Sequence, residues 1–196
     1  MPPRSSLPKV EDTLFSSLED NRIIYVNGIF DEDMVKDVFE KIVILEKKNP
    51  KKDILIIIDS YGGYCHSFLG IHDIIQMCRC DVATLCIGKA MSAAQFLLMS
   101  GTKGKRFSSK NARIMMHELS SGVYGKLSDM EVEMEENKVI QDTLEKLIIQ
   151  HTGLTKSKIK SLMENDSYFS PEEAKGLGII DEVIESNAEL YKKIKL

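Results

Sequence analysis

Residues Asp53–Asp59 read Asp-Ile-Leu-Ile-Ile-Ile-Asp, an apolar run with no polar alternation. A strand of this kind is buried on both faces, which points to a parallel sheet covered by helices. The flanking segments repeat the arrangement. Arg22–Asn27 is a short apolar strand ended by Gly28. Glu32–Lys48 follows with Met34, Val35, Val38, Phe39, Ile42 and Leu45 at helical spacing, Asp31 as its cap and Asn49-Pro50 as its stop. Tyr61-Gly62-Gly63 breaks the central run, and His66–Met77 returns to helical spacing. Val82–Ile87 is a further strand and Ala93–Met99 a further helix. Repeated strand–helix units of this type predict an α/β fold with right-handed crossovers.

The second half differs. Arg106–Phe107 and Arg113–His117 read as short strands, and Gly122-Val123-Tyr124-Gly125 as an extended, mobile stretch. Ser128–Thr152 predicts a long helix, with Ser128 as N-cap, Glu131 at the capping-box position and Gly153 as its end. Thr155–Glu164 is another helix. Ser170-Pro171-Glu172-Glu173 is a strong helix start, and Ile179–Ile184 a closing strand.

With 196 residues the chain has enough length for one core. Residues 1–13 are expected to form a flexible N-terminal segment and residues 14–196 a single domain. The net charge of −4 gives no basic footprint for nucleic acid. No run approaches the roughly 18 apolar residues of a membrane span, and the N-terminus lacks a signal-peptide core. Cys65, Cys78, Cys80 and Cys86 lie in or beside apolar runs without a CxxC pair, so reduced, mostly buried thiols and a cytoplasmic location are expected. The four His show no metal-ligand spacing, so no metal site is expected. Gly101-Thr102-Lys103-Gly104-Lys105 does not complete a phosphate-binding loop, and no cofactor is expected.

Ser92, His117 and Asp166 are the candidate catalytic residues. A serine hydroxyl needs an imidazole to take its proton and a carboxylate to hold that imidazole in one tautomer. Ser92 follows a strand and opens a helix, at the carboxyl edge where open α/β sheets bind ligands. The Ala93 amide is a natural oxyanion donor, and Gly62-Gly63, after another strand of the sheet, is the best source of a second. Each residue also has a plain structural reading. Ser92 can be only a helix cap, His117 a satisfied histidine, Asp166 a turn residue and Gly62-Gly63 a tight turn. The order Ser, His, Asp differs from both the α/β-hydrolase and the chymotrypsin orders.

At these residues the chain closely resembles the proteolytic subunit of the ATP-dependent Clp protease, over roughly Leu14 to Ile184. The family's N-S-P-G-G stands as Asp59-Ser60-Tyr61-Gly62-Gly63, and its D-V-x-T-x-C-x-G-x-A-x-S as Asp81–Ser92. K-G-K-R-F is intact at Lys103–Phe107, N-x-R-x-M-x-H is Asn111–His117, and H-T-G is His151-Thr152-Gly153. The closing pattern runs from Asp166 through Ser170, Glu173 and Ala174 to Asp181. The resemblance implies a crotonase-like fold with a long protruding handle helix near 128–152. It implies a serine endopeptidase with Ser92 as nucleophile, His117 as base, Asp166 as orienter and the Gly63 and Ala93 amides as oxyanion hole. Gly62 and the stretch Gly122, Val123, Tyr124 and Gly125 would bind an unfolded polypeptide substrate by strand addition. Subunits would assemble as two stacked heptamers, or as mixed rings with a paralogue, fed by an AAA+ unfoldase that alone uses ATP.

The chain departs from the family at several positions. Tyr61 replaces a Pro, Ala93 a Met, Glu118-Leu119 a Gln-Pro pair, and Asn165 the Arg that pairs across the rings. These departures suggest a diverged paralogue, and a dormant or structural subunit of a mixed complex is the main alternative. A crotonase-like acyl-CoA enzyme is the remote one, since no basic cluster for the CoA phosphates is visible.

Overall fold

The structure, a computed structural model, describes residues 18–196. The expected flexible segment 1–13 lies outside the described residues. Strands β1 (Ile23–Phe30), β2 (Ile54–Gly63), β3 (Val82–Met91), β4 (Arg106–Ser109) and β7 (Glu182–Ile184) follow one another across a sheet in the order β1-β2-β3-β4-β7. Every pairing along that path is parallel. Strand β5 (Arg113–Met116) branches off β3, and β6 (Ser167–Phe169) pairs antiparallel with β5. The first half of β3 pairs with β4 through Thr84–Cys86, and its second half pairs with β5 through Lys89–Met91. This one long strand therefore carries the chain from the main sheet to the branch.

The helices are α1 (Glu32–Lys48), α2 (Cys65–Met77), α3 (Ala93–Met99), α4 (Leu127–Thr152), α5 (Lys156–Met163), α6 (Pro171–Gly176) and α7 (Asn187–Lys193). Asp31 caps α1 through Met34 N–H, as its sequence implies. Ser170 and Glu173 complete the expected capping box of α6. Gly153 ends α4 in the left-handed conformation at φ 77°.

The main core lies on one sheet face, where Ile54, Ile56 and Ile58 of β2 meet Val38, Ile42 and Leu45 of α1 and the wholly buried α3. Burying one such side chain contributes about 1.5–3 kcal/mol. On the other face Leu55, Leu85 and Phe107 pack beneath Leu190 and Ile194. That cover is shorter, so Ile57 is only half-buried rather than enclosed.

Several expected boundaries move. Gly28 does not end β1, which continues to Phe30, and Tyr61-Gly62-Gly63 does not break β2 but forms its last residues. The sheet absorbs both at irregularities between Asn27 and Ile29 and between Ile58 and Ser60. Helix α4 starts one residue early, with Lys126 rather than Ser128 at the cap and no side-chain capping bond. Only Ile140, Leu144, Glu145 and Ile148 of α4 are buried, so its amino-terminal half projects from the body. At its other end the buried Arg106 guanidinium donates to Asp181 and to the His151 carbonyl, tying the helix end to β4. Cys80 and Cys86 are buried and Cys65 and Cys78 half-buried, all four free.

Candidate active site

Sheet register assembles the site. Met91 of β3 pairs with Met115 of β5, and Met116 pairs with Ser167 of β6. The residues just past those pairs are Ser92 and His117, and the one just before β6 is Asp166. His117 Nε2 lies 2.8 Å from Ser92 Oγ. His117 Nδ1 lies 3.5 Å from Asp166 Oδ1, the outer limit of a hydrogen bond, and the Asp166 side chain is 60% exposed.

Ser92 occupies the first position before α3 but does not cap it; its side chain makes no capping bond. Its backbone stands at φ 52° and ψ −125°. Only it and Arg22 have positive φ among the described non-glycine residues. Such a conformation costs about 1–3 kcal/mol and persists where the surroundings enforce it. Here Ser92 N–H donates to Met115 O at 3.0 Å, while Ser92 O receives Gln95 N–H at 3.0 Å. The hydroxyl is thereby turned away from the helix amides and toward the imidazole.

Gly62 lies against this elbow and Gly63 against the end of β1, each where a side chain would not fit. At Gly62, φ 97°, an added Cβ would stand 2.6 Å from Met91 O and 2.8 Å from Ala93 N. At Gly63, φ 158°, it would stand 2.5 Å from Phe30 N. Ser60 fixes the approach: its hydroxyl accepts Gly62 N–H at 3.0 Å and donates to Gly28 O. Ser92, His117, Gly63 and Ala93 together line a cavity of about 260 Å³, whose remaining wall is largely apolar, with Phe68, Phe96, Met115, Leu119 and Leu144.

Tyr61 stands at the rim of this cavity, 72% exposed, with Lys89 Nζ 4.5 Å from its ring centre. Lys89 also pairs with Asp59 at 2.7 Å, and that hydrogen bond holds its ammonium above the ordinary value. The side chain in place of the family's Pro is thus held from β3. Cys65 lines the same cavity, but burial pushes its thiol up, away from the reactive thiolate.

The stretch Gly122–Gly125 does not join these residues. Residues 117–126 form no helix or strand, Tyr124 is fully exposed, and Val123 lines a separate groove of about 430 Å³ against α4. An extended stretch needs a partner strand to register as one, and none lies beside it among the described residues. Glu118 and Leu119 border both the groove and the cavity. Sequence reasoning did not single out the apolar wall or Ser60. Phe68, Phe96 and Leu144 are apolar helix residues that carry no site signal of their own, and packing brings them to the cavity beside Ser92.

The Clp protease family matches residues 8–187. The chain belongs to the Clp protease family. The mixed α/β architecture, with its one branched sheet and long handle helix, is that of the family. Membership makes the chain a member of a peptidase family and implies an oligomer working with an ATPase. Among the described residues no helix is long and apolar enough to cross a membrane.

Proposed function

We propose that this Clp protease family member is a serine endopeptidase subunit of a self-compartmentalised barrel that cuts unfolded polypeptides delivered by an AAA+ unfoldase. The observation that carries the reading is the 2.8 Å contact between Ser92 Oγ and His117 Nε2 on an elbow where Ser92 is freed from capping. In this reading Ser92 Oγ adds to the peptide carbonyl while His117 Nε2 takes its proton. The oxyanion accepts the Ala93 and Gly63 N–H groups, and loss of one such donor typically costs about 2.7–4 kcal/mol. Collapse expels the amine with the proton from His117. Water, deprotonated by His117, then releases the carboxylic acid and restores Ser92. Asp166 stabilises the imidazolium throughout. The apolar cavity suits an apolar side chain beside the scissile bond, Gly62 stands beside it, and Gly122–Gly125, apart from the cavity in the free chain, would reach the peptide by pairing with it as a strand.

Hydrolysis of a fluorogenic peptide by the wild type and Ser92→Ala, beside sedimentation velocity, tests this. Activity lost in the variant, from a tetradecamer of two stacked heptamers, supports the reading; equal activity in both overturns it. The exposed Asp166 at 3.5 Å favours a second reading, a subunit dormant until a partner or paralogue in a mixed ring closes that contact. Fluorophosphonate labelling of Ser92 only after partner subunits are added would select it.

A further inference from the structure

The residues after His117 lack regular structure, yet their first amides are held from outside. Glu118 N–H donates to Met163 O at 3.2 Å, at the end of α5. Leu119 N–H donates to Gln141 Oε1 at 2.9 Å, on α4. The other end of the Gln141 amide donates from Nε2 to Glu145 Oε1 at 3.3 Å, one turn along the same helix. Glu145 is 8% exposed, and its Oε2, without a hydrogen bond, faces Lys156 Nζ at 3.3 Å. Lys156, Glu145, Gln141 and Leu119 therefore form one polar row.

The row has a fixed polarity. A carboxylate only accepts, so Glu145 obliges Gln141 to turn its NH₂ toward it and its carbonyl toward Leu119. A buried carboxylate stripped of that donor is costly, which holds the amide in this orientation. The Leu119 side chain packs against the core and forms part of the wall of the Ser92 cavity. The Ser92–His117 contact, by contrast, rests on the ladder between β3 and β5 and does not pass through this row.

We propose that Gln141 is a positioning residue for substrate: through the Leu119 amide it sets the cavity wall that receives the peptide, and Glu145 sets Gln141. This assignment rests on the serine-peptidase reading of the same site. Losing Gln141 lets the wall move while the nucleophile and base stay together. Peptide binding suffers and the intrinsic reactivity of Ser92 does not.

The test uses the full chain in the assembly it forms, with two readouts: kcat and KM for a fluorogenic peptide, and the rate at which a small fluorophosphonate labels Ser92. Gln141→Leu is expected to raise KM about tenfold, the scale of one lost hydrogen bond, with kcat and labelling within about twofold of wild type. Gln141→Glu, which sets two carboxylates together, is expected to do the same. Combining Gln141→Glu with Glu145→Gln rebuilds the row with a carboxylate at 141 accepting from both neighbours, and should return KM to within about twofold. An unchanged KM in Gln141→Leu overturns the assignment. So does a parallel loss of labelling, kcat and thermal stability that the double variant fails to restore, which would mark a merely structural residue. A wild-type chain whose Ser92 takes no probe, and whose hydrolysis survives Ser92→Ala, overturns the peptidase reading and this assignment with it.

Discussion

The carboxyl edge of the sheet and the stretch after His117 border the same cavity but are held by different means. At the edge, Ser92 is fixed by backbone bonds to Met115 and Gln95, and Gly62 sits where no side chain fits. After His117, the Glu118 amide donates to the Met163 backbone carbonyl, but the Leu119 amide donates to the Gln141 side chain, and Asn137 Nδ2 donates to the Ser121 hydroxyl at 3.0 Å. Bond-making chemistry tolerates little displacement, and backbone ladders, which no side-chain change can remove, supply that constancy. On the proposed reading the stretch that meets the peptide hangs in part on side-chain bonds, which substitution can retune.

The same substitution in the two regions gives the sharpest contrast. Gly62→Ala places a Cβ against Met91 O and Ala93 N at a left-handed backbone. We expect a loss of about 3 kcal/mol in urea unfolding and at least about a hundredfold in kcat, because the Ala93 amide must shift. Near wild-type values for both would break the contrast.

The handle that carries Gln141 is anchored by a histidine pair, His72 Nε2 and His151 Nε2 at 3.3 Å. Burial first, then His72 and Arg106, push the His151 imidazole down from 6.5 to about 4. Between those values the unfolded chain binds a proton that the folded chain does not, so stability falls as pH drops from 6.5 toward 4 and is unaffected above 6.5. His151→Gln should flatten that fall in thermal melts taken across the window. An unaltered curve would show that the anchor is not this pair.

Smaller effects are expected at the rim. Tyr61→Ala removes an exposed cation–π contact of about 0.5–1 kcal/mol, and kcat/KM should drop about two- to fivefold. A loss as deep as that of Gly62→Ala would make Tyr61 part of the fixed edge. Smallest is Gly122→Ala, whose Cβ enters open space. Unfolding free energy should stay within about 0.5 kcal/mol, and any effect should appear in KM. A large stability loss there would show that the stretch is as rigidly built as the edge.

Much of the local structure was legible. Helix α1 announced itself through apolar spacing and its cap, α2 through spacing, and α6 through its capping box, where Ser170 and Glu173 meet as their types require. Glycines misled the strand boundaries. Gly28 and Gly62 read as breaks and Val82–Ile87 as the whole of the third strand, yet β1, β2 and β3 run through Gly28, Gly62 and Gly88 at positive φ. The three residues of β6 are too few to show a period, and α7 follows the last strand without an apolar stripe long enough to read. Of the candidate site, Ser92, His117, Gly63 and Ala93 were singled out by residue type and place, and the fold brings them to one cavity. The cavity's apolar wall and the Gln141 row were not, because each depends on which helix face packs where.

By itself the sequence determined the inventory: a buried parallel sheet from its apolar runs, a serine at a strand–helix junction, and a histidine and an aspartate beside short strands. Tertiary structure alone decided that these three meet. Pairing Met91 with Met115 and Met116 with Ser167 brings Ser92, His117 and Asp166 to one point. A slip of one residue in either ladder would turn a side chain to the opposite face. Register is a non-local choice among strands far apart in the chain, fixed by how their apolar faces fill a shared core, and no local propensity encodes it.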